Sequence, residues 1–314
     1  AVTVVGMFLP LLVYSSVTCI IAYVLLGVGN AILQISLNPL LNNVISSPRL
    51  LTSSLTAGQV IKAVSSLVGP EIVLFATLHF GDDKWYYCFP ILGTITLFFA
   101  LWLTFTPIWR EQVEESKVSF SDSFNLLKNR TILILFWGIF FIVGVDVATN
   151  YVSSKLMSIR YDWTAEQVKF APQVYFFSRT VGALLGAFLL TRIAGVRYFK
   201  VNILACILML VLLIGIQNPA VSLLCIGGVG FFASSVFSII YSMAFQECPT
   251  KMNQISGLML TAVAGGGVVT PVIGFAIDNA GITAGVIVIL LCVLYLTYCA
   301  FAVRERKSGE QTAL

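Results

Sequence analysis

Ten apolar segments follow one another along this chain, and each is long enough, or nearly long enough, to cross a lipid bilayer as a helix. A hydrocarbon core of about 30 Å requires about 20 mostly apolar residues in a helix, because lipid offers no hydrogen-bond partner to backbone N–H and C=O groups. The composition agrees, since 58% of the residues are hydrophobic and only 10% are charged, whereas about a quarter are charged in a typical soluble domain. We therefore predict an all-α polytopic membrane protein.

A charged stretch, Arg110–Arg130, divides the predicted spans into four and six. This division predicts an incomplete amino-terminal bundle over residues 1–109, a cytoplasmic linker over 110–131, a carboxy-terminal six-helix bundle over 132–303 and a cytoplasmic tail over 304–314. We expect the linker to form a short amphipathic helix on the inner surface. The first span is too short to cross a bilayer and lacks the basic flank of a signal peptide. We therefore expect it to be the remaining part of a longer transmembrane helix that is truncated at the start of this chain. The predicted spans are Val2–Tyr14, Val17–Val44, Leu55–Leu78, Trp85–Trp109, Ile132–Ser154, Val168–Ile193, Phe199–Gln217, Ala220–Gln246, Ser256–Ile277 and Ala284–Val303.

Lys and Arg accumulate on the cytoplasmic loops of membrane proteins, which makes their distribution a guide to orientation. If the stretch Arg110–Arg130 is inside, twelve of the 18 Lys and Arg residues fall on the inner side and four on the outer side, while Lys62 and Arg179 lie within spans. We therefore predict a multi-pass protein of the cytoplasmic (inner) membrane, with both observed termini in the cytoplasm. The net charge of +4 then reflects loop placement, and nucleic acid is not an expected partner.

The sequence contains none of the short motifs that carry common enzyme chemistry. It has no HExxH zinc motif, no GxSxG nucleophile elbow and no Walker loop. Its seven cysteines form no CxxC pair and fall in or beside the apolar segments, where a thiol behaves as a small hydrophobic group. We predict no metal, no cofactor and no enzymatic activity.

Proline and clustered glycine interrupt several of the predicted spans. Pro39, Pro70 and Pro271 each lie inside an apolar segment, where proline removes an intrahelical hydrogen bond, and we predict that they act as gating bends. Gly182 and Gly186 form a small-xxx-small face that allows a neighbouring helix to approach closely. Close packing of helices, without any gating role, explains these prolines and glycines equally well.

Four of the segments resemble helices of one family. GVGNAILQISLNPL (Gly27–Leu40) is similar to the fourth helix of the fucose/glucose/galactose/proton symporters, a sugar-porter branch of the major facilitator superfamily. FFIVGVDVATNY (Phe140–Tyr151) and FFSRTVGALLGAFLLTRI (Phe176–Ile193) resemble the seventh and eighth helices of that branch, and QISGLMLTAVAGGGVVTPVIGFAID (Gln254–Asp278) resembles the eleventh. The resemblance implies twelve helices in two six-helix halves, so the ten spans would be helices three to twelve, with two more expected before them.

Four ionisable side chains stand at predicted membrane depth, where each costs about 2.5 to 3.5 kcal/mol on insertion scales and therefore suggests function. They are Lys62, Glu71, Asp146 and Arg179. We predict that Asp146 couples proton binding to transport, with Asn150 four residues later on the same helix face. The competing interpretation is a structural ion pair between Asp146 and either Lys62 or Arg179.

Other polar residues in the spans are candidates for binding a solute, together with Asn150. Gln34 and Asn38 share a helix face and suit sugar hydroxyls as uncharged donors and acceptors. Gln59 and Lys62 form a second such pair, and Arg179 has the fork geometry that holds a carboxylate or phosphate. Polar contacts between helices explain these residues as well. Four aromatic side chains offer faces on which a sugar could stack, namely Tyr151, Tyr175, Phe176 and Tyr241.

The resemblance and these residues together favour a secondary active transporter that moves a small polar solute, most of all a sugar, by proton-coupled alternating access. Sodium is the second choice of coupling ion. A porter for carboxylate-like or nitrate-like anions of the same superfamily is the alternative, because Lys62 and Arg179 are cations. A membrane receptor that keeps the fold without transporting anything is a further alternative. We expect the lipid bilayer as the surrounding partner and a monomer as the assembly.

Overall fold

The computed structural model describes residues 1–45, 47–106 and 120–303, and every regular element within these ranges is a helix. Residues 110–119 of the predicted linker and the predicted tail 304–314 lie outside this part of the chain, so the amphipathic helix expected in the linker falls largely outside it. The rest of the linker contains the short helix α5 (Phe120–Asn125) and a 3-10 helix at Leu126–Lys128.

Each of the ten predicted spans overlaps a helix or consecutive helices, and residues 107–109 of the fourth span lie outside the described residues. The helices before α5 are α1 (Val2–Leu12), α2 (Ser16–Val44), α3 (Pro48–Phe80), a 3-10 helix (Asp82–Tyr87) and α4 (Cys88–Phe105). The helices after α5 are α6 (Arg130–Tyr161), α7 (Ala165–Val168), α8 (Phe170–Leu189), α9 (Gly195–Gly215), α10 (Pro219–Ala233), α11 (Val236–Glu247), a 3-10 helix (Pro249–Lys251), α12 (Met252–Ala262), α13 (Gly265–Ala280) and α14 (Ile282–Ala302).

Eight helical segments in the described residues are long and apolar enough to cross a membrane, judged by length and composition alone. The helix α1, with 11 residues, is apolar but shorter. The helix α8 has 20 residues and is not among the eight, because Gln173 and Arg179 lower its mean hydropathy. The helix α8 thus falls short of the other long helices in hydropathy, and it carries the ionisable residue Arg179.

Polar residues at helix ends explain where several of these helices begin and stop. Asn129 precedes α6, and its side chain accepts hydrogen bonds from the backbone N–H groups of Thr131 and Ile132. Asn218 caps the start of α10 in the same way. At its other end α6 stops at Asp162, which adopts the left-handed conformation with φ 54°. Because α6 is capped at both ends, its length of 32 residues is fixed locally by the sequence.

The chain divides into two compact units, and α2 and α3 each contribute residues to both. The first unit comprises Ala1–Leu37 and Ser66–Ser119, and the second comprises Asn38–Ser65 and Phe120–Leu314. In the first unit, α1 packs closely against two neighbours. A Cβ atom at Gly6 would lie 2.8 Å from Cβ of Leu25 on α2, and one at Gly93 of α4 would lie 2.9 Å from Cε2 of Phe8.

The second unit is built around α6, whose residues lie in one continuous hydrophobic core with those of α8 to α14. Leu135, Ile139 and Leu156 on α6 are fully buried in this core. Glycines allow the backbones to approach, since a Cβ atom at Gly182 of α8 would lie 2.8 Å from Cα of Phe231 on α10. A Cβ atom at Gly186 would collide with the side-chain hydroxyl of Ser235, which follows α10. The packing face predicted for Gly182 and Gly186 is therefore confirmed.

The helices do not break at the prolines that the sequence singled out. Pro39, Pro70 and Pro271 lie inside α2, α3 and α13, and these helices continue through them. The interruptions lie elsewhere. The eighth predicted span is interrupted at residues 234–235, between α10 and α11. The ninth is interrupted at residues 263–264, between α12 and α13. The gating role of the three prolines stays a prediction.

Candidate functional site

Asp146 lies in the middle of α6, and both of its carboxylate oxygens contact α8. Its Oδ2 atom lies 3.0 Å from Nη2 of Arg179, and its Oδ1 atom accepts a hydrogen bond of 2.6 Å from the Tyr175 hydroxyl. Charge-assisted hydrogen bonds of this kind are shorter and stronger than neutral ones. The interpretation of Asp146 as one member of an ion pair is confirmed, and its partner is Arg179.

The ion pair lies at the margin of the core. The Arg179 side chain is 13% exposed and the Asp146 side chain is 26% exposed, whereas Tyr175 is fully buried. An ion pair at membrane depth is expensive unless its geometry is good and its remaining atoms are hydrogen-bonded. Here the carboxylate has two partners and remains partly exposed.

The spacing along α8 and a glycine on α10 explain how this geometry arises. Tyr175 and Arg179 are four residues apart, so both project from the same face of α8 toward α6. Gly230 on α10 lies against this face, because a Cβ atom there would be only 2.8 Å from the Tyr175 carbonyl oxygen and 3.0 Å from its ring. The absence of a side chain at Gly230 thus allows Tyr175 to be held between α10 and α6.

Lys62 on α3 is the third charged side chain at this site. It is exposed, and its ammonium lies within electrostatic range of both Arg179 and Asp146. Gln59 precedes it by three residues on much the same face of α3 and is half-buried. Lys62 therefore lies near the Asp146–Arg179 ion pair, and the role of Gln59 in binding a solute stays a prediction.

Thr149 and Asn150 occupy the next turn of α6 after Asp146. Thr149 Oγ1 and Asn150 Oδ1 are buried, and neither has a hydrogen-bond partner among the residues that the structure describes. A buried polar atom without a partner costs about 1–3 kcal/mol, so each one needs an explanation, and a bound solute or water is one. Asn150 is accordingly the predicted binding residue with the clearest structural signature.

A second group of polar side chains, which we call the polar seam, joins α2 and α3 to α11 and α12. It consists of Asn38, Thr52, Tyr241, Ser242 and Ser256. Thr52 Oγ1 lies 2.7 Å from Ser242 Oγ. The Tyr241 hydroxyl lies 2.8 Å from Ser256 Oγ and also hydrogen-bonds to the Asn38 side chain. Asn38, a predicted solute-binding residue, is therefore engaged with other protein side chains in this conformation.

Three members of the polar seam, Thr52, Ser242 and Ser256, carry no signal in the sequence. Single hydroxyl residues are common in membrane helices and often bond to the carbonyl one turn earlier on their own helix. Thr56, for example, donates to the Thr52 carbonyl at 2.8 Å. Because the partners in the seam are far apart in the chain, no spacing pattern could have identified them.

The predicted solute-binding residues are distributed over both units. Gln34 is half-buried on α2 and belongs to the first unit, whereas the other candidates belong to the second. The expectation that Tyr175 and Tyr241 offer a stacking face to a sugar is wrong, because these side chains are 0% and 1% exposed. Their hydroxyl groups act instead as donors within the site and the polar seam. The candidates in the second unit are Asn38, Gln59, Lys62, Asp146, Asn150 and Arg179.

Replacing Tyr175 by phenylalanine removes one donor from Asp146 and keeps the buried ring. A hydrogen bond to a charged group contributes about 1.5–3 kcal/mol, so we expect the melting temperature in detergent to fall by roughly 3–8 °C. Tyr298→Phe removes the same atom at a position that is 47% exposed, and it should shift the melting temperature by about 1 °C or less. Equal melting temperatures for the two variants would show that the hydroxyl of Tyr175 does not stabilise the site.

Known proteins resemble this chain in sequence. The sequence profile of the Major Facilitator Superfamily matches residues 1–271. A Helicobacter pylori protein named for glucose/galactose transport is 26% identical over 275 residues, which cover 81% of this chain and 66% of that protein. The glucose/galactose transporter of Brucella abortus is 24% identical over 290 residues, which cover 88% of this chain and 69% of that protein. The chain thus spans about two thirds of the length of these relatives.

Solved structures resemble the chain in fold. The E. coli fucose:proton symporter superposes with a TM-score of 0.81 at 18% identity, over 97% of this chain and 82% of that protein. A human organic anion transporter superposes with a TM-score of 0.70 at 16% identity, over 95% of this chain and 74% of that protein. At these identities the likeness concerns the fold alone, and it confirms the predicted all-α polytopic architecture.

Proposed function

Because the chain belongs to the major facilitator superfamily, we propose that it is a secondary active transporter that moves a sugar across the cytoplasmic membrane together with a proton. The glucose/galactose transporters that resemble it in sequence support a sugar as the substrate class. The fucose:proton symporter that resembles it in fold supports the proton as the coupling ion. No step of this function requires a nucleotide, a metal or another cofactor.

The observation that carries the proposal is the ion pair between Asp146 and Arg179 at 3.0 Å. Protonation of the partly exposed carboxylate removes its charge and weakens its attraction for Arg179, and loss of the proton restores the pair. The two protonation states therefore favour different contacts between α6 and α8. A ligand shifts a conformational equilibrium only through such a difference in free energy between the states, and here the proton is that ligand.

The polar seam supplies the second element that alternating access requires. By the distribution of Lys and Arg, the ends of α2, α3, α11 and α12 that carry the seam face the cytoplasm. Its hydrogen bonds, including 2.7 Å between Thr52 and Ser242, hold these helix ends together. In the proposed cycle the seam is closed while the solute binds from outside, and it opens to release the solute inward.

The remaining parts of the proposal concern location and assembly. The protein is proposed to span the cytoplasmic (inner) membrane with both observed termini inside. It binds a small-molecule solute and a proton, is surrounded by lipid and works as a monomer. Two bundles of helices rocking about a central site are sufficient for alternating access in this superfamily, so no second copy is required.

The proposed function is tested with the full-length protein in liposomes under an imposed pH gradient. We expect a labelled monosaccharide to accumulate above its equilibrium level, and a protonophore to abolish the accumulation. Accumulation that follows a sodium gradient and ignores the pH gradient would overturn the assignment of the coupling ion. Binding of monosaccharides without transport would indicate the non-transporting membrane receptor. Absence of both binding and transport would contradict the assignment of a sugar as the substrate.

An anion porter is the second candidate, and the exposed Lys62 favours it. The same liposomes distinguish the two candidates by counterflow, in which an unlabelled solute inside drives the entry of a labelled solute. Exchange of nitrate or a simple carboxylate, with no exchange of any monosaccharide, would establish the anion porter. Exchange of monosaccharides alone would exclude it.

A further inference from the structure

The helix α9 presents one continuous face of exposed side chains in the part of the chain that the structure describes. These side chains recur every three or four residues, which is the spacing of a single helix face. The first is a cation, and the four that follow are large, apolar and 48–63% exposed. They are Arg197, Val201, Leu204, Leu208 and Val211. An apolar face of this length on a membrane-spanning helix is suited to contact with lipid hydrocarbon.

The helix α14 packs against α9 and has a face of the same kind. Its exposed apolar side chains are Ile287, Leu291, Leu294, Tyr298 and Phe301. Phe301, near the end of α14, lies beside the start of α9, because the Lys200 ammonium is 4.7 Å from the centre of its ring. A cation over an aromatic face is attracted to it, so this contact holds the two helix ends together. The apolar faces of α9 and α14 therefore both end next to cations.

The two cations at the start of α9 are neighbours on the helix surface. Arg197 and Lys200 are three residues apart, a spacing that places Cβ atoms about 5–6 Å from each other. Neither forms an ion pair with a carboxylate within residues 1–45, 47–106 and 120–303. Like charges at this spacing repel each other, and an anion bound between them would remove the repulsion. Arginine and lysine are both suited to bind a phosphate group.

The predicted orientation places these cations at the inner surface of the membrane. By the distribution of Lys and Arg, the start of α9 faces the cytoplasm, and anionic phospholipids give the cytoplasmic leaflet its negative surface potential. From Arg197 to Val211 the exposed face rises about 21 Å along α9. This length exceeds half of the hydrocarbon core of about 30 Å, so the face can accommodate the acyl chains of one leaflet.

We propose that the start of α9 and the end of α14 form a binding site for an anionic phospholipid of the inner leaflet. Its phosphate lies between Arg197 and Lys200, and its acyl chains lie along the exposed faces of α9 and α14. A phospholipid fits both features of the surface, whereas a soluble anion would use the cations alone. The inference goes beyond the proposed function, because it uses the proposed orientation but neither the solute nor the coupling ion.

The inference is tested by native mass spectrometry of the full-length protein in detergent, with phosphatidylglycerol and phosphatidylcholine that carry identical oleoyl chains. Each cation near an anionic headgroup favours its binding by roughly fivefold, so we expect phosphatidylglycerol to bind about 25-fold more tightly than phosphatidylcholine. Equal affinities would overturn the inference and leave the proposed transport standing. Glycerophosphoglycerol, the same headgroup without acyl chains, should bind about tenfold or more weakly than the phospholipid. Equal binding of this headgroup would reveal a site for soluble anions and would also overturn the inference.

Variants test the assignment of the phosphate to these two cations. The double variant Arg197→Gln with Lys200→Gln should lower the preference for phosphatidylglycerol to about threefold or less, because both charges are removed. The matched control, Lys128→Gln with Lys251→Gln, removes two exposed cations that are predicted to lie on the same side of the membrane, and it should keep the preference. An equal loss in both double variants would assign the preference to the overall charge of the inner surface and contradict the site. Failure of sugar transport in liposomes would contradict the proposed function and leave the lipid site standing.

Discussion

We expect proton-driven accumulation of the solute to disappear when Asp146 is replaced by asparagine. With a gradient of about two pH units, one coupled proton supports roughly 100-fold accumulation, since each pH unit corresponds to about 1.36 kcal/mol. Asparagine cannot bind that proton, so we expect the variant to stop at equal concentrations on both sides. The measurement is the internal concentration of labelled solute in liposomes at steady state, with and without the gradient.

Two controls separate the loss of coupling from the loss of the folded protein. Asp278→Asn makes the same change at an exposed position near the end of α13 and should accumulate solute normally. The double variant Asp146→Asn with Arg179→Gln removes both charges of the ion pair, which is tolerated better than leaving one charge unpaired. It should accumulate no solute, and its melting temperature in detergent should fall less than that of Asp146→Asn. Normal accumulation of solute by Asp146→Asn would show that the ion pair has a structural role and no role in proton coupling.

Replacing Gly182 by alanine is expected to cost much of the stability of the second unit. The added methyl group would lie 2.8 Å from Cα of Phe231 and 2.9 Å from its carbonyl carbon, and a backbone cannot yield as the end of a flexible side chain can. Overpacking of this kind typically costs about 1–3 kcal/mol, and more where the backbone must shift. We expect a melting temperature in detergent lower by at least about 5 °C.

Gly257 provides a matched control for this prediction because it lies inside α12, where an added Cβ atom would have no neighbour within 4 Å. Alanine is favoured over glycine inside a helix by about 0.8–1.0 kcal/mol, so Gly257→Ala should leave the melting temperature unchanged or raise it slightly. The two substitutions thus have opposite expected signs. Similar small changes of the melting temperature in both variants would mean that α8 and α10 pack less closely than in this structure.

The ten spans could be predicted from the sequence because lipid leaves the backbone few alternatives to a helix. The interruptions at residues 234–235 and 263–264 could not, because they depend on which backbones approach one another. Gly265 begins α13 just after the second interruption and lies directly against the Phe140 backbone on α6. The sequence shows a glycine-rich stretch there, but not the helix against which it packs.

The contacts within the candidate site could likewise be predicted only in part from the sequence. Asp146 could be singled out from the cost of a carboxylate at membrane depth, yet Lys62 and Arg179 were equally suitable partners by charge. Only the packing of α8 on α6 decides for Arg179, and the same packing brings Tyr175 to the second carboxylate oxygen. Tyr175 was predicted as a stacking surface because the sequence does not reveal which face of an aromatic helix is buried.

The polar seam also has a consequence for how the chain is made. Thr52 and Ser242 are 190 residues apart, and at a synthesis rate of about 5–20 residues per second the ribosome needs roughly 10–40 s to supply the second after the first. During that interval the Thr52 hydroxyl can donate to the Pro48 carbonyl on its own helix, 2.9 Å away. The polar group of Thr52 can therefore be satisfied within α3 until the later helices are inserted and Ser242 comes within 2.7 Å of it.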